Sequence, residues 1–182
     1  ELLSSQVERC NEILKRLSLN PVDEDDFIDK DLIMRDYLSE IISSFKEISK
    51  KNFIFNFDQD SNVKRITKSI EIVYGLRNFI GNANKFSRKT IYISLKSDSK
   101  ITQISIEDDG NGYPRDVLSK IGEPYLRSND SIEKSKTGLG LGLFIGKTLL
   151  EKNFASINCR NSKTKSGAEV IIIWNNKDLF NL

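Results

Sequence analysis

Two alternating runs, IYISLK at 91–96 and ITQISIED at 101–108, are separated only by the four residues SDSK. Apolar and polar side chains at a period of two mark half-buried strands. A link this short cannot hold a crossover, which needs a dozen or more residues, so the two strands must pair antiparallel. No other feature constrains the fold as tightly. The segments around this pair read as helices and further strands without βαβ regularity. The class is therefore α+β, a two-layer α/β sandwich of mixed sheet with its helices on one face.

Along the rest of the chain, residues 1–21 place Leu3, Val7, Cys10, Leu14 and Leu17 at alternating spacings of four and three. That is a coiled-coil-like a/d seam, ended by Pro21. A short helix with so narrow a stripe is expected to pair with another helix; packing on its own domain is the alternative. The acidic run 23–26 reads as a linker. Residues 32–48 carry helical spacing through Met34, Leu38, Ile41, Ile42 and Phe45, and FIFNFD at 53–58 alternates as a half-buried strand. A long helix is predicted from about 62 to 86, with Val63, Ile66, Ile70, Val73, Leu76 and Ile80 facing inward. A glycine-rich turn at 109–114 precedes a short helix at 115–121. A helix over 141–152 and strands at 156–161 and 168–174 complete the pattern. The segment 122–137 is polar, aperiodic and long for a connection in a compact domain, which predicts a lid.

Composition narrows the function classes. The 28 basic and 26 acidic residues leave a net charge of only +2, which excludes attraction to nucleic acid or membrane by bulk charge. No apolar run approaches the roughly 18 residues of a spanning helix, and no signal-peptide pattern is present. Cys10 and Cys159 are too few for a disulfide framework, so a reducing cytoplasm is expected. The first residue is Glu1 rather than Met, as expected of a piece of a longer protein. The chain has no histidine, which removes the commonest general base and metal ligand.

Three constellations carry chemistry. In GLRNFIGNANKFS, Asn78, Asn82 and Lys85 fall at i, i+4 and i+7, within an arc of roughly 60° on one helix. Amide oxygens are hard ligands suited to Mg²⁺, and an ammonium offsets phosphate charge. A merely solvated helix face is the alternative. In IEDDGNGYP a strand runs into Asp108-x-Gly110-x-Gly112. A carboxylate beside backbone that lacks a Cβ can accept from an exocyclic amine such as adenine N6; a plain Asp-Gly turn is the alternative. In TGLGLGLFIGKT, Gly138, Gly140 and Gly142 alternate at the entry to a helix, where free N–H groups and the helix terminus favour an anion. A P-loop would need glycine where Leu141 stands, and the spacing does not fit a dinucleotide fingerprint.

Taken together, in this order and over about 65 residues, these motifs resemble the superfamily that joins histidine kinases, gyrase-type topoisomerases, MutL and the large heat-shock chaperone (the Bergerat, or GHKL, ATP-binding fold). The string N-x-x-x-N-A-x-K-F and the intervening GEPYLRS are similar to sensor histidine kinases. ERCNEILKRLS, DDGNGYP, GEPY and GLGLGLFIGKTLLE look closest to their RegB-type, redox-responsive branch. The chaperone and MutL branches carry a water-activating glutamate where this chain has Asn78. A stand-alone ATPase or ATP-gated module of that kind is the alternative reading.

The resemblance implies a set of roles. Asn82 would be the main Mg²⁺ ligand, with Asn78 beside the metal and phosphates, and Lys85 would contact phosphate. Phe86 would pack near adenine and Asp108 would accept from its N6, with Gly110 and Gly112 letting the base approach. Gly138, Leu139, Gly140, Leu141 and Gly142 would cradle phosphates under the lid, to which Tyr125 and Arg127 belong. Residues 1–21 would be part of a dimerisation helix that joins two copies, and 22–182 the catalytic domain. The γ-phosphoryl of ATP would pass to a histidine absent from this chain, then to a response-regulator receiver domain. The fragment alone is not expected to autophosphorylate, nor to contact nucleic acid or membrane. It would lie in the cytoplasm, as part of a protein anchored in the bacterial inner membrane. The resemblance also implies a redox-responsive cysteine in the ERC context, which Cys10 matches; an inert packed thiol is the alternative.

Overall fold

The computed structural model describes residues 32–58, 65–66, 69–124 and 141–179. The expected helix at 1–21 lies outside them, as does most of the expected lid. A short strand β1 (Leu32–Ile33) leads into helix α1 (Met34–Ile48), strand β2 (Asn52–Phe57) and a second short strand β3 (Arg65–Ile66). Helix α2 (Ile70–Phe86), strands β4 (Thr90–Ser97) and β5 (Ile101–Asp108) and the short helix α3 (Arg115–Leu118) follow. Helix α4 (Gly142–Lys152), strands β6 (Ser156–Asn161) and β7 (Ala168–Asn175) and a final turn of helix, α5 (Asn176–Leu179), complete the described chain.

Five strands form one sheet in the order β2-β4-β5-β7-β6. β2 runs parallel to β4, and every other pair is antiparallel, so the sheet is mixed as expected. Register places Leu95 opposite Ile104 and Ile104 opposite Ile172, and sets Ile93, Ile106 and Val170 in the next row. These five isoleucine and leucine positions and Val170 are buried, and they all stand on one face. The residues between them, such as Ser94, Gln103 and Ser105, are only partly covered. Period-two burial on every central strand is what a sheet with one covered face requires. α1 and α2 supply the covering layer through Met34, Leu38, Ile41, Ile42, Val73, Leu76, Phe79 and Ile80, and α4 adds Leu150.

The helix predicted from 62 to 86 is shorter than its periodicity suggests. Ser69 caps α2, its hydroxyl accepting from the Ile72 N–H at 3.5 Å. Arg65 and Ile66 instead pair antiparallel with Ile33 and Leu32, and Val63 lies outside the described residues. Ile70, expected to face inward, is 44% exposed in the first turn. A serine N-cap and a local strand pairing override a stripe that apolar spacing alone would extend. The helix expected at 115–121 likewise ends at Leu118.

Helices α2 and α4 pack antiparallel and close together. A Cβ on Gly75 would lie 2.5 Å from Leu150 Cγ, and one on Gly146 would lie 3.0 Å from the Phe79 ring. Glycine at these two places lets the helices approach, and this contact delivers the start of α4 to the middle of α2.

Candidate functional site

The site is built along α2. Asn78, Asn82, Lys85 and Phe86 occupy its last three turns, and the Asn78-to-Phe86 stretch rises about 12 Å. At the Asn78 end stands the first turn of α4: Asn78 Oδ1 is 3.7 Å from where a Cβ on Gly142 would sit. Asn78 Nδ2 donates to the Tyr74 carbonyl at 2.8 Å, which fixes the amide and turns its oxygen outward from the helix ladder. α4 begins at Leu141 with no side-chain cap and has no acidic residue in its first turn. Among the described residues its leading N–H groups therefore keep the positive potential and open donors that suit an anion. Asn82 is half-buried one turn further on, and its amide has no hydrogen-bond partner among the described residues. Lys85 places its ammonium 5.1 Å from the centroid of the Phe86 ring.

At the other end of α2 the backbone of Phe86 meets the glycine turn after β5. A Cβ on Gly110 would lie 2.4 Å from the Phe86 carbonyl oxygen and 2.7 Å from Asp108 Oδ1, so no other residue fits there. Asp108 is 3% exposed, and its Oδ1 accepts from the N–H of Gly110 at 2.7 Å and of Ala168 at 3.3 Å. Burial raises its pKa; those two N–H groups and Lys51 pull the other way without cancelling it. Asp109, next in sequence, ends with the opposite shift. Burial opposes its ionisation too, but N–H groups of Lys89, Thr90 and Arg88 more than offset that and bring its pKa below the ordinary value. Their contacts with the Asp109 carboxylate run from 2.7 to 3.2 Å. Two adjacent carboxylates thus divide the work. Asp109 ties the end of α2 to the turn, while Asp108 keeps an oxygen, Oδ2, that accepts no hydrogen bond within the described chain.

Of the residues expected at a site, Asn78, Asn82, Lys85, Phe86, Asp108, Gly110, Gly112, Leu141 and Gly142 fall on this α2–α4–β5 frame. Tyr125, Arg127, Gly138, Leu139, Gly140 and Cys10 lie outside the described residues. Three contributors escaped sequence reasoning. Gly167 packs so tightly on Asp108 that a Cβ would come within 2.1 Å of its carbonyl oxygen. Ala168 supplies an N–H to the buried carboxylate, and Lys51 donates to the Ser87 carbonyl and sits 3.1 Å from its hydroxyl, at the C-terminal end of α2. The only signal for the first two was a Ser-Gly-Ala turn before a strand, which any hairpin would carry; for Lys51 there was none.

Among the described residues no group of three or more carboxylate or thiol side chains could hold a metal. A divalent ion here would need amide oxygens together with ligand phosphates, a donor set that suits Mg²⁺. None of the described helices is long and apolar enough to cross a membrane.

The model of the histidine kinase-, DNA gyrase B- and HSP90-like ATPases matches residues 67–177. The sensor histidine kinase RegB of Cereibacter sphaeroides is 31% identical over 96% of this chain, which spans only 41% of that relative's length. The mycobacterial sensor histidine kinase MprB superposes on 79% of this chain and 96% of its own, with a TM-score of 0.66 at 18% identity. The full-length histidine kinase ShkA, solved in complex with AMPPNP, gives a TM-score of 0.64 at 19% identity, covering 80% of this chain and 30% of that one.

Proposed function

The chain belongs to the histidine kinase-, DNA gyrase B- and HSP90-like ATPases; we propose that it is the ATP-binding catalytic part of a sensor histidine kinase, holding Mg²⁺–ATP along α2 and presenting the γ-phosphoryl group to a histidine outside this chain. The observation that carries the reading is the frame itself. The middle of α2 meets the start of α4, which has no side-chain cap, and the C-terminal end of α2 meets a buried carboxylate in a glycine turn, about 12 Å away. An elongated ligand with an anionic end and an amine-bearing base fits that spacing.

Asn82 offers its amide oxygen to Mg²⁺, with Asn78 beside it, and the ion when bound screens the charge between phosphates. Lys85 and the leading N–H groups of α4 meet the phosphates, as Gly138, Gly140 and Gly142 with Leu139 and Leu141 do at the entry to that helix. Asp108 accepts from the exocyclic amine of adenine, Gly110 and Gly112 leave room for the ring, and Phe86 packs near it. The segment 122–137, with Tyr125 and Arg127, closes over the nucleotide and excludes water. Phosphoryl transfer of this kind rests on alignment and charge neutralisation, so a chain with no histidine can still serve it. The longer protein would supply the accepting histidine, dimerise through residues 1–21, sit in the bacterial inner membrane and pass phosphate to a receiver domain.

Titration calorimetry with ATP, with and without Mg²⁺, tests this reading. The Mg²⁺-dependent gain in affinity should be lost in Asn82→Ala, a cost of about 1.5–3 kcal/mol, with the metal-free affinity kept. An unchanged Mg²⁺ response in that variant would overturn the ligand assignment. Acid-labile, base-stable phosphate appearing on this chain alone would overturn the division of labour.

A further inference from the structure

Among the described residues β6 is an edge strand, paired only with β7, and none of its residues belongs to the site just described. Two of its side chains nevertheless end on one residue of the glycine turn. Asn161 Oδ1 accepts from the Tyr113 N–H at 2.6 Å, and Asn161 Nδ2 donates to the Tyr113 carbonyl at 3.0 Å. A single amide thus satisfies both backbone groups of Tyr113, as a neighbouring strand would. Cys159, two residues earlier and on the same side of the strand, interacts electrostatically with the Tyr113 hydroxyl. The Tyr113 ring is buried. Gly112 is the residue between this anchor and the purine side of the turn. It stands at φ +76°, and a Cβ on it would lie 2.6 Å from Asn161 Oδ1. Its missing side chain therefore leaves the space that the Asn161 amide fills.

We propose that Asn161 is a positioning residue for base recognition: by holding both backbone groups of Tyr113 it sets the course of Gly110–Gly112 and hence the room beside Asp108. The proposal rests on the reading of Asp108 as the purine partner. The residue type follows from the geometry. Only a primary amide carries a donor and an acceptor side by side at this length; a carboxylate could accept from the N–H but not serve the carbonyl. Tyr113 is separately anchored by its buried ring, so losing the amide loosens the turn without removing the packing beneath it.

The full chain is titrated with ADP and with IDP, whose hypoxanthine replaces the exocyclic amine with a carbonyl, and exchange of the Tyr113 amide hydrogen is followed by NMR. Asn161→Ala should weaken ADP about tenfold and IDP much less, so that the preference for ADP shrinks while Tyr113 exchange accelerates. The enhancement of ADP binding by Mg²⁺ should stay as in the parent. Asn161→Asp, which keeps the acceptor, should fall between parent and Asn161→Ala. It also carries the comparison if the alanine variant unfolds. Faster exchange with the ADP:IDP ratio intact, or equal losses for both nucleotides, would make Asn161 a structural clamp only and overturn the proposal. A parent chain with no preference for ADP would overturn the role of Asp108 and this proposal with it. A clear parental preference that survives in both variants would overturn the role of Asn161 alone.

Discussion

The two ends of the α2–α4 pair are built on opposite terms. At the far end, where α2 starts and α4 stops, nearly every polar group is spoken for. Ser69 Oγ donates to Asn153 Oδ1 at 3.1 Å, and Asn153 Nδ2 donates to Glu71 Oε2 and to the Leu149 carbonyl at 2.7 and 2.8 Å. The Tyr37 hydroxyl donates to the Ser69 carbonyl, the Trp174 indole N–H to the Asn153 carbonyl, and Lys152 pairs with Glu71 at 2.6 Å. At the near end Asn82, Asp108 Oδ2 and the first turn of α4 keep bonding capacity in reserve among the described residues. One end spends its polar groups on the fold, and the other, on the function proposed above, holds them for a ligand. Polar groups left this way at half-buried positions reduce stability, which a chain tolerates only when the remainder is well satisfied.

The sharpest way to break that division is to cut the far end. Trp174 is fully buried, and Trp174→Ala should cost about 3–5 kcal/mol from the cavity and the lost indole bond. Chemical denaturation should show it, while the affinity of the folded fraction for ATP stays as in the parent. A matching loss of affinity would mean that the two ends are coupled.

At the near end, Asp108→Asn should do the reverse. The pKa of Asp108 is raised by burial, so the folded chain holds that proton more tightly than the unfolded chain does. Its contribution to stability is greatest below the ordinary value of 3.8 and is lost as pH rises through the folded value. An asparagine keeps an acceptor for Gly110 and carries no charge to bury. The melting temperature at neutral pH should hold or rise, and adenine nucleotide binding should weaken by about 1.5–3 kcal/mol with or without Mg²⁺. A variant that melts lower and binds equally well would show Asp108 to be a fold residue.

The smallest expected effect returns to the far end. Phe154 follows α4 at φ 62° and is 61% exposed, so a bulky side chain holds a left-handed conformation for little burial in return. Phe154→Gly should raise stability by about 1 kcal/mol without touching nucleotide affinity. A loss of stability on thermal melting would show that the exposed ring packs more than its area suggests.

Legibility in the sequence followed the same two ends. The hairpin of β4 and β5, the inward stripe of α2 from Val73 to Ile80 and the order of the near-end motifs could all be read, because each is local: a period, a short turn, a spacing along one helix. The far end could not. Ser69, Asn153 and Trp174 look ordinary in the sequence, and their meeting joins residues 84 and 21 positions apart. The start of α2 was misplaced for a related reason, since the pairing of Arg65–Ile66 with Leu32–Ile33 depends on a partner more than thirty residues away. Gly167 was missed because its duty, packing against Asp108 from the start of the neighbouring strand, leaves no local pattern.

The strand order has a consequence for how the chain comes together. β7 lies between β5 and β6, yet it is the last strand described, so β6 joins the sheet only when β7 docks on β5. Until it does, β5 offers an open edge lined by Ile104 and Ile106, and β6 has no strand to pair with. That docking also delivers Trp174 to the far end and the Ala168 N–H to Asp108 in one event. Folding should therefore close with a single cooperative step at high sequence separation, and a nascent chain stalled before residue 168 would present an aggregation-prone sheet edge.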